Sequence, residues 1–238
     1  MANDSAVIPR SRIPVIIICH NVLTDLLRLI DWLERTGHER LVLLDNASTY
    51  PPLLEYYGRT AHDVIRLPRN DGQRAPWLSG LAARIGRSSP FVVTDPDVLP
   101  DPDCPPDAVE HFQTLLLQHP RFDKAGFGLC IDDLPPCYPH RDAVRRWEAA
   151  FWRTEISPGV YAAPIDTTFA VYRPRTPYKT TGSLRTAAPY LARHLPWYRD
   201  PRQPDEETRY FLEHRRNDVG WWNRAALTPD IARRTGGG

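Results

Sequence analysis

Two acids separated by a single residue, Asp95 and Asp97, close the apolar, β-branched run Phe91-Val92-Val93-Thr94. Such a run reads as a buried strand. Ligands of open α/β sheets bind outside the carboxyl ends of the strands. Carboxylates at that place can hold a hard divalent cation, Mn²⁺ or Mg²⁺, and the cation can neutralise a diphosphate. The spacing alone carries little, because D-x-D should arise by chance about once or twice in a chain of this Asp content. Asp101-Pro102-Asp103 is a second instance, in a Pro-rich stretch. What sets the first apart is its position after a strand. Other polar groups also lie beside apolar runs: His20-Asn21, Asp45-Asn46, Asn70, Asp132-Asp133, Asp166 and His194.

The elements that must position these residues can be read from periodicity. Ile13–Cys19 is a continuous apolar strand, and Leu23–Arg35 an amphipathic helix with Leu26, Leu29, Ile30 and Leu33 on one face. Gly37 stops it. Leu41–Leu44 and Val64–Leu67 are strands, Leu53–Tyr57 and Trp77–Ile85 helices, and the acidic pair ends the fourth strand. This alternation predicts an α/β fold with helices on both faces of a central, mostly parallel sheet. In the second half the pattern predicts helices over Ala108–Gln118, Val144–Trp152 and Arg185–His194, and strands over Ala125–Ile131 and Thr167–Tyr172. Pro204–Arg216 carries Asp205, Glu206 and Glu207 in a first turn, which suits a helix N-terminus.

Composition bounds the function. The chain has 238 residues, enough for one domain with a real core. Thirty basic against 29 acidic residues leave no electrostatic footprint of a nucleic-acid binder. No apolar run approaches the ~20 residues of a membrane span, and no signal peptide precedes the first strand, so a cytoplasmic enzyme is expected. The four cysteines form no C-x-x-C pair and read as thiols. Residues 1–12 read as a flexible leader and 13–234 as one catalytic domain, with a nucleotide-binding half (13–100) and an acceptor half (101–234). The dinucleotide fingerprint and the P-loop are both absent after the first strand.

Pro14–Asn21, then Asp45-Asn46-Ala47-Ser48-Thr49, then Asn70-x-Gly72, then Asp95-Pro96-Asp97, resembles in order the nucleotide half of GT-A glycosyltransferases, nearest to the large family two of inverting enzymes. The resemblance covers roughly the first 100 residues and thins afterwards; the family's E-D pair is not present as such. It implies a GT-A-like, Rossmann-type α/β/α sandwich. It implies transfer of a sugar from a nucleoside diphosphate sugar, a UDP-sugar before others, to a glycan or small-molecule acceptor. Asp45 would accept from the base. His20, Asn21 and Asn46 would line base and ribose, with Asn70 and Arg74 near the nucleotide. Asp95 would approach the ribose or the metal, and Asp97 would bind the metal. The turn His194-Leu195-Pro196-Trp197 is similar to an element of retaining GT-A enzymes and offers His194 as a further metal ligand.

Arg185, at the start of its expected helix, can add positive charge to the phosphates, and Trp197 can serve as a sugar platform. For the carboxylate that deprotonates the acceptor, the candidates are Asp133 and Asp166, then Asp132, then the glutamates of the last helix.

Each residue also has a plainer reading. Asp45 can cap its own turn, Asn21 the following helix, and His194 can favour a helix dipole. Asp132 and Asp133 can be turn acids, Arg74 a surface residue, and Trp197, Trp221 and Trp222 core. Two other functions stand as alternatives. One is a sugar-nucleotide pyrophosphorylase or nucleotidyltransferase, against which His20-Asn21-Val22-Leu23 lacks the expected Gly-rich loop. The other is an inactive nucleotide-sugar binding module.

Overall fold

The computed structural model describes residues 7–216. In chain order the elements are β1 (Val15–Cys19), α1 (Thr24–Arg35), β2 (Leu41–Asp45), α2 (Pro51–Tyr57), β3 (Asp63–Arg66), α3 (Ala75–Leu78), α4 (Leu81–Ile85), β4 (Phe91–Thr94) and β5 (Val98–Pro100). Then come α5 (Ala108–Gln118), β6 (Lys124–Leu129), α6 (Arg141–Ala149), β7 (Glu155–Ser157), β8 (Val160–Ala162), β9 (Ala170–Tyr172), β10 (Ser183–His194) and α7 (Glu206–His214). The strands form one sheet in the order β3-β2-β1-β4-β9-β6-β10-β8-β7, with β5 pairing β10.

β3, β2, β1 and β4 run parallel. β9 lies antiparallel between β4 and β6, and β10 runs parallel to β6. β6 and β10 therefore share the direction of the first four strands, and the centre of the sheet is mostly parallel.

The uninterrupted apolar strands are explained by the two faces they feed. Side chains alternate across a sheet. Val15, Ile17 and Cys19 of β1 enter one core with Leu26, Leu29 and Leu33 of α1 and Val109 and Phe112 of α5. Ile16 and Ile18 enter the opposite core with Ala75, Leu81 and Ala82 of α3 and α4. Both faces are covered, which is why no polar residue interrupts β1.

Four expectations are revised. Arg185–His194 is strand, not helix: Pro189 has no N–H and would break a helix interior. A register shift between Thr186 and Leu191 absorbs it within β10. Trp77–Ile85 is two short helices, parted at Gly80, whose φ of 77° ends a helix in the left-handed region. Val144–Trp152 begins earlier, at Arg141, and finishes as a 3₁₀ turn over Ala150–Trp152. Within the expected leader, residues 7–12 are fastened to α5. The Ile8 N–H donates to Gln113 (2.9 Å), the Gln113 amide donates back to the Ile8 carbonyl (2.8 Å), and the Arg10 N–H donates to Glu110 (2.8 Å). Trp221 and Trp222 lie outside the described residues. Among the described residues no helix is long and apolar enough to cross a membrane.

Candidate functional site

All the parallel strands deliver their carboxyl ends to one edge of the sheet, and β9, running against them, begins there. This places His20-Asn21, Asp45-Asn46, Asn70, Asp95-Asp97, Asp132-Asp133, Asp166 and His194 along the same edge.

At the β1–β2 end the side chains are consumed in building turns. Asp45 is fully buried. Its carboxylate accepts from the Ser48 N–H (3.1 and 3.3 Å), the Tyr57 hydroxyl (3.2 Å) and the Arg66 guanidinium (3.0 Å). The base-accepting role implied for it thus falls on a carboxylate already engaged with three partners. Asn46 accepts from the Asp71 N–H (2.8 Å) and donates to the Gly72 carbonyl (3.0 Å), fastening the β3 loop. Asn70 accepts from the Gly72 N–H (2.9 Å), closing an Asx turn.

Asn21 has φ 53°, which Asn tolerates better than most residues. Its side chain accepts from the N–H groups of Thr49 (2.7 Å) and Tyr50 (2.9 Å), so it secures the entry to α2 rather than capping α1. Glu207 of α7 serves α1 instead, accepting from the Leu23 and Thr24 N–H groups (3.0 and 3.2 Å). His20 donates through Nδ1 to the Asn46 carbonyl (3.0 Å), and burial lowers its pKa.

Helix α7 crosses these turns. Phe211 lies edge-on to His20 at 6.2 Å, Tyr210 packs on Tyr50 at 5.0 Å, and the Tyr210 hydroxyl donates to Thr49 (3.0 Å). Arg74 is exposed and stands over the Tyr178 ring at 5.7 Å.

At the β4 end the acids are less committed. Asp95 accepts from the Thr167 hydroxyl (2.6 Å). Its pKa is pushed well up, first by burial, then by Asp97 and Asp166. Asp97 lies 3.6 Å from His194 Nε2. β5 creates this meeting: it pairs antiparallel with the end of β10, setting His194 opposite Val98, the residue after Asp97. Burial lowers the His194 pKa, so the ring is held neutral, the form that can ligate a metal. Its Nδ1 is buried without a hydrogen-bond partner. Among the described residues no three His, Cys, Asp or Glu side chains are gathered closely enough to hold a metal ion unaided. Asp97 and His194 suit two positions of a coordination shell that a bound ligand would have to complete.

The candidate bases differ. Asp133 accepts from Tyr198 (2.6 Å) and Arg193 (2.8 Å). Burial works to raise its pKa, but these hydrogen bonds and that of Cys130 leave it below the ordinary carboxylate value, which weakens it as a proton acceptor. Asp132 is exposed and its backbone carbonyl accepts from Arg145 (2.9 Å). Asp166 is exposed, accepts from the Tyr178 hydroxyl (2.9 Å) and sits next to Thr167, the partner of Asp95.

Two expectations are corrected. Arg185 is buried in β10, ion-paired with Glu148 at 2.6 Å and donating to the Pro164 carbonyl (2.8 Å), so it has no reach to a phosphate. Trp197 is core, with its ring edge-on to His194 at 4.8 Å, and offers no platform to a sugar.

The residues that hold the site together lie far apart in sequence. Thr167 meets Asp95 across 72 residues. Buried Lys124 donates to the carbonyls of Ile165 and Lys179, both at 2.6 Å, and so fixes the backbone leading into Asp166. Burial lowers its pKa to about 8. A lysine at the start of an apolar strand was the one available signal.

No family model matches the chain, and no curated protein matches it. Among solved structures it is similar to a mycobacterial protein (16% identity, TM-score 0.44), over 73% of this chain and 64% of that one. It is similar to a UDP-glucose pyrophosphorylase complexed with UDP-glucose (13%, TM-score 0.42), over 68% and 76% of the two chains. It is also similar to a 4-diphosphocytidyl-2C-methyl-D-erythritol synthase from Anaerococcus prevotii (12%, TM-score 0.37), over 94% and 96%. The chain spans just under two thirds of the first of these.

Proposed function

We propose that this chain is a metal-dependent glycosyltransferase, taking a sugar from a nucleoside diphosphate, UDP before GDP, to the hydroxyl of a glycan or small-molecule acceptor. The observation that supports it most is the meeting of Asp97 with His194, 3.6 Å apart, at the carboxyl edge that also carries Asp95 and Asp166. Burial first, and then the charges of Asp97 and Asp166, raise the Asp95 pKa there. Mn²⁺ or Mg²⁺ would be held by Asp97 and His194, and when bound it supplies the positive charge that stabilises a departing diphosphate. An imidazole ligand tilts the choice toward Mn²⁺, since Mg²⁺ takes oxygen.

The chain's own residues do the rest. Asp166, exposed and beside Asp95, takes the acceptor proton. The turns fastened by Asn21, Asn46 and Asn70 form the floor for base and ribose, with Arg74 at their margin. α7, closed over those turns, opens to admit the nucleotide. The reading is tested by following the melting temperature against a panel of nucleotide sugars with and without Mn²⁺. A ligand selective for the folded state raises it, and a UDP-sugar with Mn²⁺ is expected to do so most. No shift with any nucleotide sugar would refute the reading.

A further inference from the structure

A cavity of about 410 Å³ opens between α1 and the end of β10. Its walls are Arg28, Arg193, Arg199, Asp133, Leu195 and Tyr198: three guanidinium groups against one carboxylate. The volume is that of a small-molecule site. Its position is tied to the acidic centre, because the Leu195 N–H donates to the Asp97 carbonyl (2.8 Å) and Leu195 follows His194.

Two of the arginines, Arg193 and Arg199, are held in place from behind. Asp25, only 1% exposed and absent from the walls, pairs with Arg199 and stands 4.0 Å from Arg28. Asp101, also outside the walls, anchors Arg193 (3.0 Å) together with Asp133 (2.8 Å). Tyr198 donates to Asp133, which occupies the one wall carboxylate. Arg28 is 53% exposed and, among the described residues, has no closer acidic partner than Asp25. A guanidinium carries five N–H donors in a fork that matches phosphate and carboxylate. Anchoring one edge of the Arg193 and Arg199 forks leaves the rest of each oriented, which lowers the entropic cost when an anion arrives.

We propose that this cavity is the acceptor subsite and that the acceptor is a small anion, bearing a phosphate or carboxylate that Arg28, Arg193 and Arg199 grip while its hydroxyl reaches past Leu195 to the carboxyl edge that carries Asp97 and Asp166. The word acceptor rests on the transferase reading; the anion site does not.

The test is calorimetry with inorganic phosphate and with acetate on the wild type and on Arg28→Ala, Arg193→Lys and Arg35→Ala, with UDP plus Mn²⁺ titrated into the same samples. Arg28→Ala removes an exposed side chain, and Arg193→Lys keeps the charge but loses the fork. Arg35→Ala, at the far end of α1, controls for net charge. Phosphate affinity should fall about tenfold in Arg28→Ala, the size of one charge-assisted hydrogen bond. It should also fall in Arg193→Lys and hold in Arg35→Ala, while UDP affinity holds throughout. Acetate following the same pattern would name a carboxylate as sufficient; phosphate alone doing so would name a phosphate. Equal phosphate affinity in all four proteins overturns the proposal. A parallel loss of UDP affinity in Arg28→Ala also overturns it, because the cavity would then belong to the donor diphosphate. If no sample binds UDP but phosphate binding still depends on Arg28, the anion site stands and the nucleotide reading alone fails.

Discussion

Asp25 shows how much a single buried carboxylate decides here. Burial lifts its pKa from the ordinary 3.8 to about 6; Arg199 opposes the rise, while Asp97 and Glu207 add to it. A raised folded value favours the protonated chain. Its contribution to stability is therefore full below about 3.8 and lost as pH rises through about 6. Asp25→Asn keeps the shape without the proton, so its melting temperature should rise relative to the wild type across that interval. Parallel curves for the two proteins would mean that Asp25 does not titrate there.

At the same scale, Asp166→Asn should cut kcat about 10²-fold or more with UDP affinity intact, because a base touches the acceptor and not the nucleotide. Asp133→Asn should cost less, since Asp133 is already bound by Tyr198 and Arg193. A reversed order would exchange their roles. The acids themselves were legible because they stand beside apolar runs. Their partners were not: nothing near Asp95 points to Thr167, and nothing near Leu23 points to Glu207. Asp45 was ambiguous for the same reason, as its occupancy by Tyr57 and Arg66 depends on how α2 and β3 pack.

Among the elements, the misreading that matters most for the site is β10. Its Arg-Thr-Ala-Ala stretch leans toward helix, and pairing with β6, β8 and β5 overrides that preference. The consequence reaches the site, since as a strand it buries Arg185 and carries His194 to Asp97. β6 tolerates no side chain at Gly126, where a Cβ would meet the Phe169 carbonyl at 2.3 Å and Ala170 Cβ at 2.7 Å. Gly126→Ala should destabilise by about 1–3 kcal/mol in urea unfolding, the range for overpacking. An unchanged midpoint would mean that β9 can move aside. α7 is held over the turns after β1 and β2 chiefly by Glu207, Tyr210 and Phe211. Tyr210→Ala removes the Thr49 hydrogen bond and the Tyr50 contact, and should speed UDP association in stopped-flow traces. A slower association would make α7 a wall of the site rather than its cover.

For the molecule as a whole, the parallel half was legible because two covered faces force continuous apolar strands, and each strand end then exposes its polar residues at one edge. The second half was less so, because β7, β8 and β9 are three residues each and leave too short a pattern. What the fold achieves is convergence: β4, β5, β9 and β10, from distant parts of the chain, set Asp95, Asp97, Asp166 and His194 along one edge, where Asp97 meets His194. The claim that this convergence is a nucleotide–metal site is tested most directly by titrating UDP into wild type and Asp97→Ala, each with and without Mn²⁺. UDP should bind the wild type more tightly with Mn²⁺ than without, and Asp97→Ala should lose this gain. Equal UDP affinity in both proteins, with or without the metal, would contradict it.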